Sequence, residues 1–259
     1  MTGVLEGRKV LVVGAGTRAS DDPDAPVGNG RAISVVVGRA GATVACADID
    51  LDAAAFTAAL VEAEGATAHV LGGDVTDADA CAGLIEGAVA AMGGVDGLVL
   101  NVGIGAGMSM AGTTPKQWDT VFAVNVRAHF LLAGAALGAM REGGSIVFIS
   151  SIAGLTAGSR MPAYDSSKSA LTGLCRQTAA EGARKGIRAN IVAPGLIDTP
   201  LGRVATGDRP SRAKAPVPLG RQGSAWEVAE PVVFLLSDAA SYITSQLLAV
   251  DGGLTGCRG

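Results

Sequence analysis

Aromatic side chains are scarce in this sequence: five Phe, two Trp and two Tyr make up 3% of its 259 residues. The core must then be built from small aliphatic side chains, which the 49% apolar content and 38 glycines allow. Such a composition suits helices lying close on a sheet. Charge is sparse as well, at 17% of residues with a net charge of -4 and a pI near 5.2, so no basic field exists to draw in nucleic acid or anionic lipid. The four cysteines, Cys46, Cys81, Cys175 and Cys257, have no C-x-x-C spacing and no partnered histidine cluster. That pattern opposes a metal site and points to buried free thiols in a reducing compartment. The start, MTGVLEGRKV, has no long apolar stretch of the secretory kind, and the run AHFLLAGAALGAM is too short to cross a bilayer. A cytoplasmic protein without membrane or nucleic-acid partners is expected.

What the chain does have is a repeated strand-then-helix pattern. Strand-like runs occupy residues 9–13, 43–47, 67–71, 97–101, 145–150, 188–193 and 247–251. Between them lie helix-like stretches such as LDAAAFTAALVEAEG, DADACAGLIEGAVAAMG and EVAEPVVFLLSD. Several strands are apolar on both alternating faces, as in a parallel sheet covered by helices on each side. The expectation is an α/β, doubly wound, Rossmann-type sheet of seven strands in three layers, folded as one domain over residues 1–259. Ligands of such sheets lie beyond the carboxyl ends of the strands. The irregular segment 199–224, rich in Pro, Gly and Arg, is expected to act as a substrate lid.

The first strand runs into VVGAGTRASDDPDAPVGNGRAI. A literal G-x-G-x-x-A falls at Gly14, Gly16 and Ala19, but the following SDDPDAP, with two prolines and three aspartates, cannot continue a helix. Apolar periodicity at Ile33, Val36, Val37 and Ala40 instead starts the helix after Gly28-Asn29-Gly30. The glycine turn is therefore read as split, with Gly14 at the strand end and Gly28 and Gly30 at the helix start, thirteen residues intervening. A helix N-terminus placed there would hold a pyrophosphate. Asp48, ending the second strand, is positioned to accept hydrogen bonds from both adenosine ribose hydroxyls and to repel a 2′-phosphate, which favours NAD over NADP. Asp50 is the better candidate for capping the next helix, and Arg18 in the turn is the residue that could instead meet a 2′-phosphate.

Tyr164 and Lys168 stand at i, i+4 on a helix starting near Pro162, and Ser151 ends the fifth strand thirteen residues before Tyr164. With these motifs the chain resembles the short-chain dehydrogenase/reductase family from Lys9 to Gly253. The resemblance places the family's Ser-Tyr-Lys trio at Ser151, Tyr164 and Lys168, and its active-site asparagine at Asn125 in VNVRAHF. Asn101-Val102-Gly103 matches the motif closing the fourth strand, Asp74-Val75 the pair near adenine, and Pro194-Gly195 with Thr199 the motif holding the nicotinamide carboxamide. Ile49 beside Asp48 and Ile197 before Thr199 complete the expected cofactor set. The terminal VDGG matches residues 250–253.

A tyrosine at its ordinary pKa of about 10 is a poor base at neutral pH. Lys168 and a positive nicotinamide ring would stabilise the phenolate, so that Tyr164 serves as base in oxidation and acid in reduction. Ser151 would hydrogen-bond the substrate oxygen. The resemblance adds that Lys168 holds the nicotinamide ribose, that Asn125 anchors a water relay, and that the protein is a homotetramer.

The chain departs from the family at the first turn. Val13 replaces a threonine that normally braces it, and residues 17–27 form an insertion that is expected either to fold over the cofactor, with Thr17, Arg18 or Ser20 as donors, or to project past it. Its acidic residues, Asp21, Asp22 and Asp24, are expected to face solvent or to pair with Arg18 or Arg31. Met108, Met110, Leu155, Met161 and Leu196 point to apolar pocket walls with Arg160 at the rim, and hence to an apolar or cyclic secondary alcohol or ketone. The rival is an NADPH-dependent ketoacyl carrier-protein-type reductase, opposed by Asp48 and by Leu131 where such reductases carry arginine, with Lys185 keeping some basic surface. A non-catalytic NAD-binding protein would lack the tyrosine or lysine, and both are present.

Overall fold

Strand and helix alternate through the computed structural model, which describes residues 3–17, 24–207 and 217–257 and leaves aside the side chains of 204–207. In chain order these are β1 (Lys9–Val13), α1 (Asn29–Arg39), β2 (Thr43–Asp48), α2 (Leu51–Ala63), β3 (Ala68–Gly72), α3 (Ala78–Met92), β4 (Gly97–Leu100) and the short α4 (Ser109–Gly112). Then come α5 (Pro115–Phe122), a π turn (Ala123–Arg127), α6 (Ala128–Ala139), β5 (Ser145–Ile149), α7 (Pro162–Gly182), β6 (Arg188–Pro194), β7 (Ile197–Asp198) and α8 (Pro200–Gly207). The last are β8 (Gly223–Ser224), α9 (Ala225–Leu236) and β9 (Leu247–Val250).

Seven strands form one parallel sheet in the order β3-β2-β1-β4-β5-β6-β9. The chain turns back at β1 and β4, so the two halves of the sheet diverge there and leave a crevice at the strand ends. Alternate residues of each strand serve opposite faces. Val10 and Val12 join a core with α1 and α9, whereas Leu11 and Val13 join one with α3, α6 and α7. Among the described residues Phe148 is the one aromatic ring in the buried core, as the aromatic-poor composition implies. Close packing comes from small residues: a Cβ added to Gly38 of α1 would lie 2.7 Å from a methyl of Val61 on α2.

Helix starts are written locally. Asp50 accepts from the Ala53 N–H and Asp77 from that of Asp79, while Ser224 and Glu227 form a reciprocal cap on α9. No side chain caps α1. The ends of segment 199–224 are joined by the β7–β8 pair, Ile197 to Gly223 and Asp198 to Ser224, and α8 fills its first part. The irregular composition of that segment concealed both.

Two expectations need correction. The apolar run beginning at Ala128 belongs to a continuous helix, Pro115–Ala139, of 25 residues, long and apolar enough to cross a membrane by length and composition. Its place is set by packing, because Leu132, Ala133 and Ala136 lie against the sheet and it buries the polar Asn125 and His129 inside the protein. Cys46, Cys81 and Cys175 are buried free thiols, but Cys257 is exposed, since the terminal turn has no covering layer. Phe148→Ala should empty the best-filled part of the core and lower unfolding stability by about 3–5 kcal/mol in a urea titration.

Candidate active site

The first turn is held by close approach. Gly14 has φ 84°, and its N–H and that of Ala15 both donate to the Ala47 carbonyl at 2.8 and 3.0 Å. A Cβ on Gly30 would sit 1.8 Å from the Gly14 oxygen, so the strand end and the helix start can meet only at glycine. Asn101 Nδ2 donates to the same oxygen at 2.7 Å, bracing the turn where Val13 has no hydroxyl. α1 begins at Asn29, not at Ala19, which is the split register. Thr17 Oγ1 accepts from the Gly28 N–H at 3.1 Å, joining the two sides of the insertion at its base. Arg18, Ser20, Asp21 and Asp22 lie outside the described residues. The Asp24 carbonyl accepts from Arg203 of α8 at 3.3 Å, and Arg203 also pairs with Asp198. Arg31 turns toward α2, its Nε on Thr57 and its guanidinium 4.6 Å from the Phe56 ring centroid.

From this turn a cavity of about 510 Å³ runs along the strand ends, from Asp48 and Ile49 to Tyr164 and Lys168. Gly14, Thr17, Gly28, Asn29 and Gly30 line it, as do Asp74, Val75, Asn101, Val102, Gly103 and Thr199. Asp48 Oδ2 accepts from Gly16 N–H at 2.8 Å and Oδ1 from Asp50 N–H at 3.1 Å.

At the other end Lys168 is buried, its Nζ donating to the Ile149 carbonyl at 2.9 Å and lying 5.8 Å from the Tyr164 ring centroid. Burial pushes its ammonium down to about 8. Asn125 sits in the π turn, where the extra residue carries its side chain inward. Its Oδ1 accepts from the Ile104 N–H, and its Nδ2 donates to the Ile104 carbonyl and to Ser167 Oγ, each at 2.9 Å. Asn125 therefore ties the loop after β4 to Ser167 of α7.

Several predicted residues stand back from the cavity. Ser151 follows β5 and its Oγ accepts from Ala153 N–H at 3.2 Å; Ser150, whose Oγ donates to the Lys168 carbonyl, lines the cavity wall. Pro194, Gly195 and Ile197 are absent from the lining. Gly195 lies against Asp251, where a Cβ would be 2.5 Å away, and Ile197 is buried. Lys185 is exposed and keeps its charge at the surface, with its Nζ donating to the Leu137 carbonyl near the end of α6.

Sequence reasoning missed four contributors. Gly16 holds Asp48 through a backbone amide, which no motif advertises. Pro200 and Leu201 line the cavity because α8 begins at the motif residue Thr199. His129, one turn after Asn125, is fully buried, its Nε2 3.1 Å from the Val102 carbonyl and its Nδ1 unpartnered among the described residues. Burial, reinforced by Lys168, pushes His129 down to about 3.

The cavity suits a dinucleotide. It is elongated, begins at a helix start with no side-chain cap, and contains a buried Asn29 Oδ1 with no partner among the described residues. A family model described as enoyl-(acyl carrier protein) reductase matches residues 26–255. The chain is 37% identical to 2-(S)-hydroxypropyl-CoM dehydrogenase 3 of Xanthobacter autotrophicus over 98% of this chain and 99% of that protein. It is 36% identical to a cyclopentanol dehydrogenase of Comamonas over 88% of this chain and 93% of that one. Among solved structures, a candidate 2-deoxy-D-gluconate 3-dehydrogenase from Agrobacterium tumefaciens with bound NADP superposes with a TM-score of 0.85 at 32% identity, covering 99% of this chain and all of that one.

His129 makes stability acid-sensitive. The unfolded chain takes up its imidazole proton below about 6.5 and the folded chain only near 3, so stability falls as pH drops between those values, by about 1.4 kcal/mol per pH unit at most. His129→Gln keeps an N–H for Val102 and removes the titration. Its urea midpoint should vary less with pH than the wild type's from pH 6 to pH 4.

Proposed function

This chain belongs to the short-chain dehydrogenase/reductase family of oxidoreductases acting on CH–OH and C=O groups, and from that premise we propose an NAD-dependent enzyme for a secondary alcohol or ketone with an apolar body. The observation that carries this reading is one continuous cavity with a carboxylate, Asp48, at its adenosine end and the Tyr164–Lys168 pair at its reactive end. A bound nicotinamide supplies the hydride acceptor or donor. In oxidation the Tyr164 phenolate takes the substrate hydroxyl proton, and in reduction the phenol returns it. Lys168, its Nζ 5.8 Å from the Tyr164 ring centroid, stabilises the phenolate, and its hydrogen bond to Ile149 fixes where that charge stands. Ser151 donates to the substrate oxygen as charge builds there. Asn125 holds Ile104, and with it the loop that begins the substrate pocket.

Asp48 favours NAD, since a carboxylate at the rim accepts from ribose hydroxyls and repels a 2′-phosphate. A cyclopentanol dehydrogenase and a hydroxypropyl-CoM dehydrogenase among the relatives support a secondary alcohol. Met108, Met110 and Leu155, all exposed, and the half-buried Met161 supply apolar surface on the substrate side. The segment 199–224 acts as the substrate lid of a single-domain enzyme, hinged on the β7–β8 pair and tied by Arg203 to the insertion at Asp24. The exposed Phe130 and Trp118 on the long helix support burial of that face in a homotetramer. A carrier-protein reductase is favoured by the family description, by an NADP-bound neighbour and by the exposed Lys185, but the Asp48 carboxylate opposes NADPH.

A panel of secondary alcohols and ketones assayed with both oxidised and both reduced nicotinamide cofactors should show preference for NAD and for apolar substrates. NADP preference would overturn the role given to Asp48. Tyr164→Phe should lower kcat by about 10²–10⁴-fold while calorimetric NAD binding stays within a few-fold. Undiminished turnover in that variant would remove Tyr164 as the acid–base group.

A further inference from the structure

Gly16 gives its N–H to the Asp48 carboxylate, and this position admits no side chain. Its φ is not in the left-handed region, so the backbone does not demand glycine. Space does: a Cβ there would lie 2.8 Å from Asp48 Oδ2, 3.1 Å from Asp48 Cγ and 2.9 Å from the Ala53 Cβ. The carboxylate rests directly on the Gly16 backbone, and the Gly16 N–H donates to Oδ2 at 2.8 Å.

We propose that Gly16 is a positioning residue for cofactor specificity, clamping the Asp48 carboxylate so that it cannot swing away from an incoming 2′-phosphate. This rests on the NAD reading above and gives it a mechanical basis. A carboxylate on a free χ rotor could turn aside for NADP and discriminate weakly. Asp48 has no such freedom, because Oδ2 is held by Gly16 and Oδ1 by the Asp50 N–H at 3.1 Å. Each oxygen keeps one acceptor position for the ribose hydroxyls.

The clamp is anchored on both sides. Ala15 donates its N–H to Ala47, the residue before Asp48, and its carbonyl accepts from Thr57 Oγ1 of α2 at 3.0 Å. Thr57 in turn accepts from Arg31 Nε. The stretch 15–16 is thus fastened to both elements that flank Asp48, β2 and α2. Exclusion of the 2′-phosphate comes from a charge that is fixed in place as well as present.

The test is calorimetric titration of NAD⁺ and NADP⁺ into the wild type, Gly16→Ala, the double variant Gly16→Ala/Ala53→Gly, and Asp48→Asn. Ala53→Gly removes the second close contact, so that in the double variant the carboxylate is the group that must move. The wild type should bind NAD⁺ more tightly, and both Gly16 variants should shrink the NAD⁺/NADP⁺ affinity ratio by about tenfold, with NAD⁺ weakened and NADP⁺ strengthened. A merely structural role would weaken both cofactors alike and leave the ratio unchanged. If both Gly16 variants keep the wild-type ratio while Asp48→Asn collapses it, the clamp is refuted and the NAD reading stands. If the wild type itself binds NADP⁺ more tightly, that reading fails and the clamp falls with it. Thermal unfolding of each variant confirms that the titrated protein is folded, and the double variant carries the test should Gly16→Ala alone fold poorly.

Discussion

At the centre of the molecule the end of β1 and the start of α1 press together with a glycine on each side. The Gly14 carbonyl occupies the space that any Cβ at position 30 would need, and Asn101 from the end of β4 donates into the same carbonyl. Three segments distant in sequence are thereby fixed at the point where the two halves of the sheet diverge. The cavity exists because of that contact. Its walls are the ends of β1, β2, β4 and β5, its floor is the glycine turn, and its far rim is the start of α8. The insertion can be long without disturbing this arrangement because Thr17 and Gly28 join its two sides at the base.

The reactive end depends on a second constraint, the cost of keeping polar groups inside an apolar layer. Lys168, Asn125 and His129 are all buried beside the sheet, and each is tied to backbone rather than to a counter-charge. Lys168 holds the carbonyl ending β5, Asn125 both backbone groups of Ile104, and His129 the carbonyl of Val102. Desolvation holds Lys168 near 8 and His129 near 3, so at neutral pH the ammonium is the charged member and the imidazole is not. The buried ammonium, its Nζ on the Ile149 carbonyl and standing beside Tyr164, is placed as the proposed acid–base role of that phenol requires. The π turn makes room for this by rotating Asn125 inward without ending the helix.

Much of this was readable from residues alone. The periodicity at Ile33, Val36, Val37 and Ala40 placed α1 after the second glycine pair, and the proline-rich insertion excluded an earlier start. The strand runs were found to within a residue or so, because strands buried on both faces are uninterrupted apolar stretches. The side chains around the site were harder to place. Ser151 accepts an amide N–H in a local turn and keeps its own hydroxyl hydrogen to donate, while its neighbour Ser150 lines the cavity; adjacent residues of an extended segment face opposite ways, and sequence spacing cannot tell which wall each joins. Gly16 belonged to a fingerprint that the helix does not use, so nothing local marked it. Its partner Asp48 is thirty-two positions away, and their contact follows from the parallel register of β1 with β2.

By itself the sequence determined the alternation of strands and helices, the glycine-only contact at the first turn, and the phenol–ammonium pair on one helix face. These rest on short-range rules: side-chain period, capping, the steric demand of Cβ, and i, i+4 spacing. Only the tertiary structure decided that the Asp48 carboxylate is held by two backbone amides, that Asn125 serves the Ile104 loop, that His129 is a buried neutral imidazole, and that Arg203 joins α8 to the insertion. Each of those involves groups from different elements, and their meeting is set by sheet order and helix packing. Desolvation, which fixes the charge states of Lys168 and His129, likewise arises only once the two layers have closed over them.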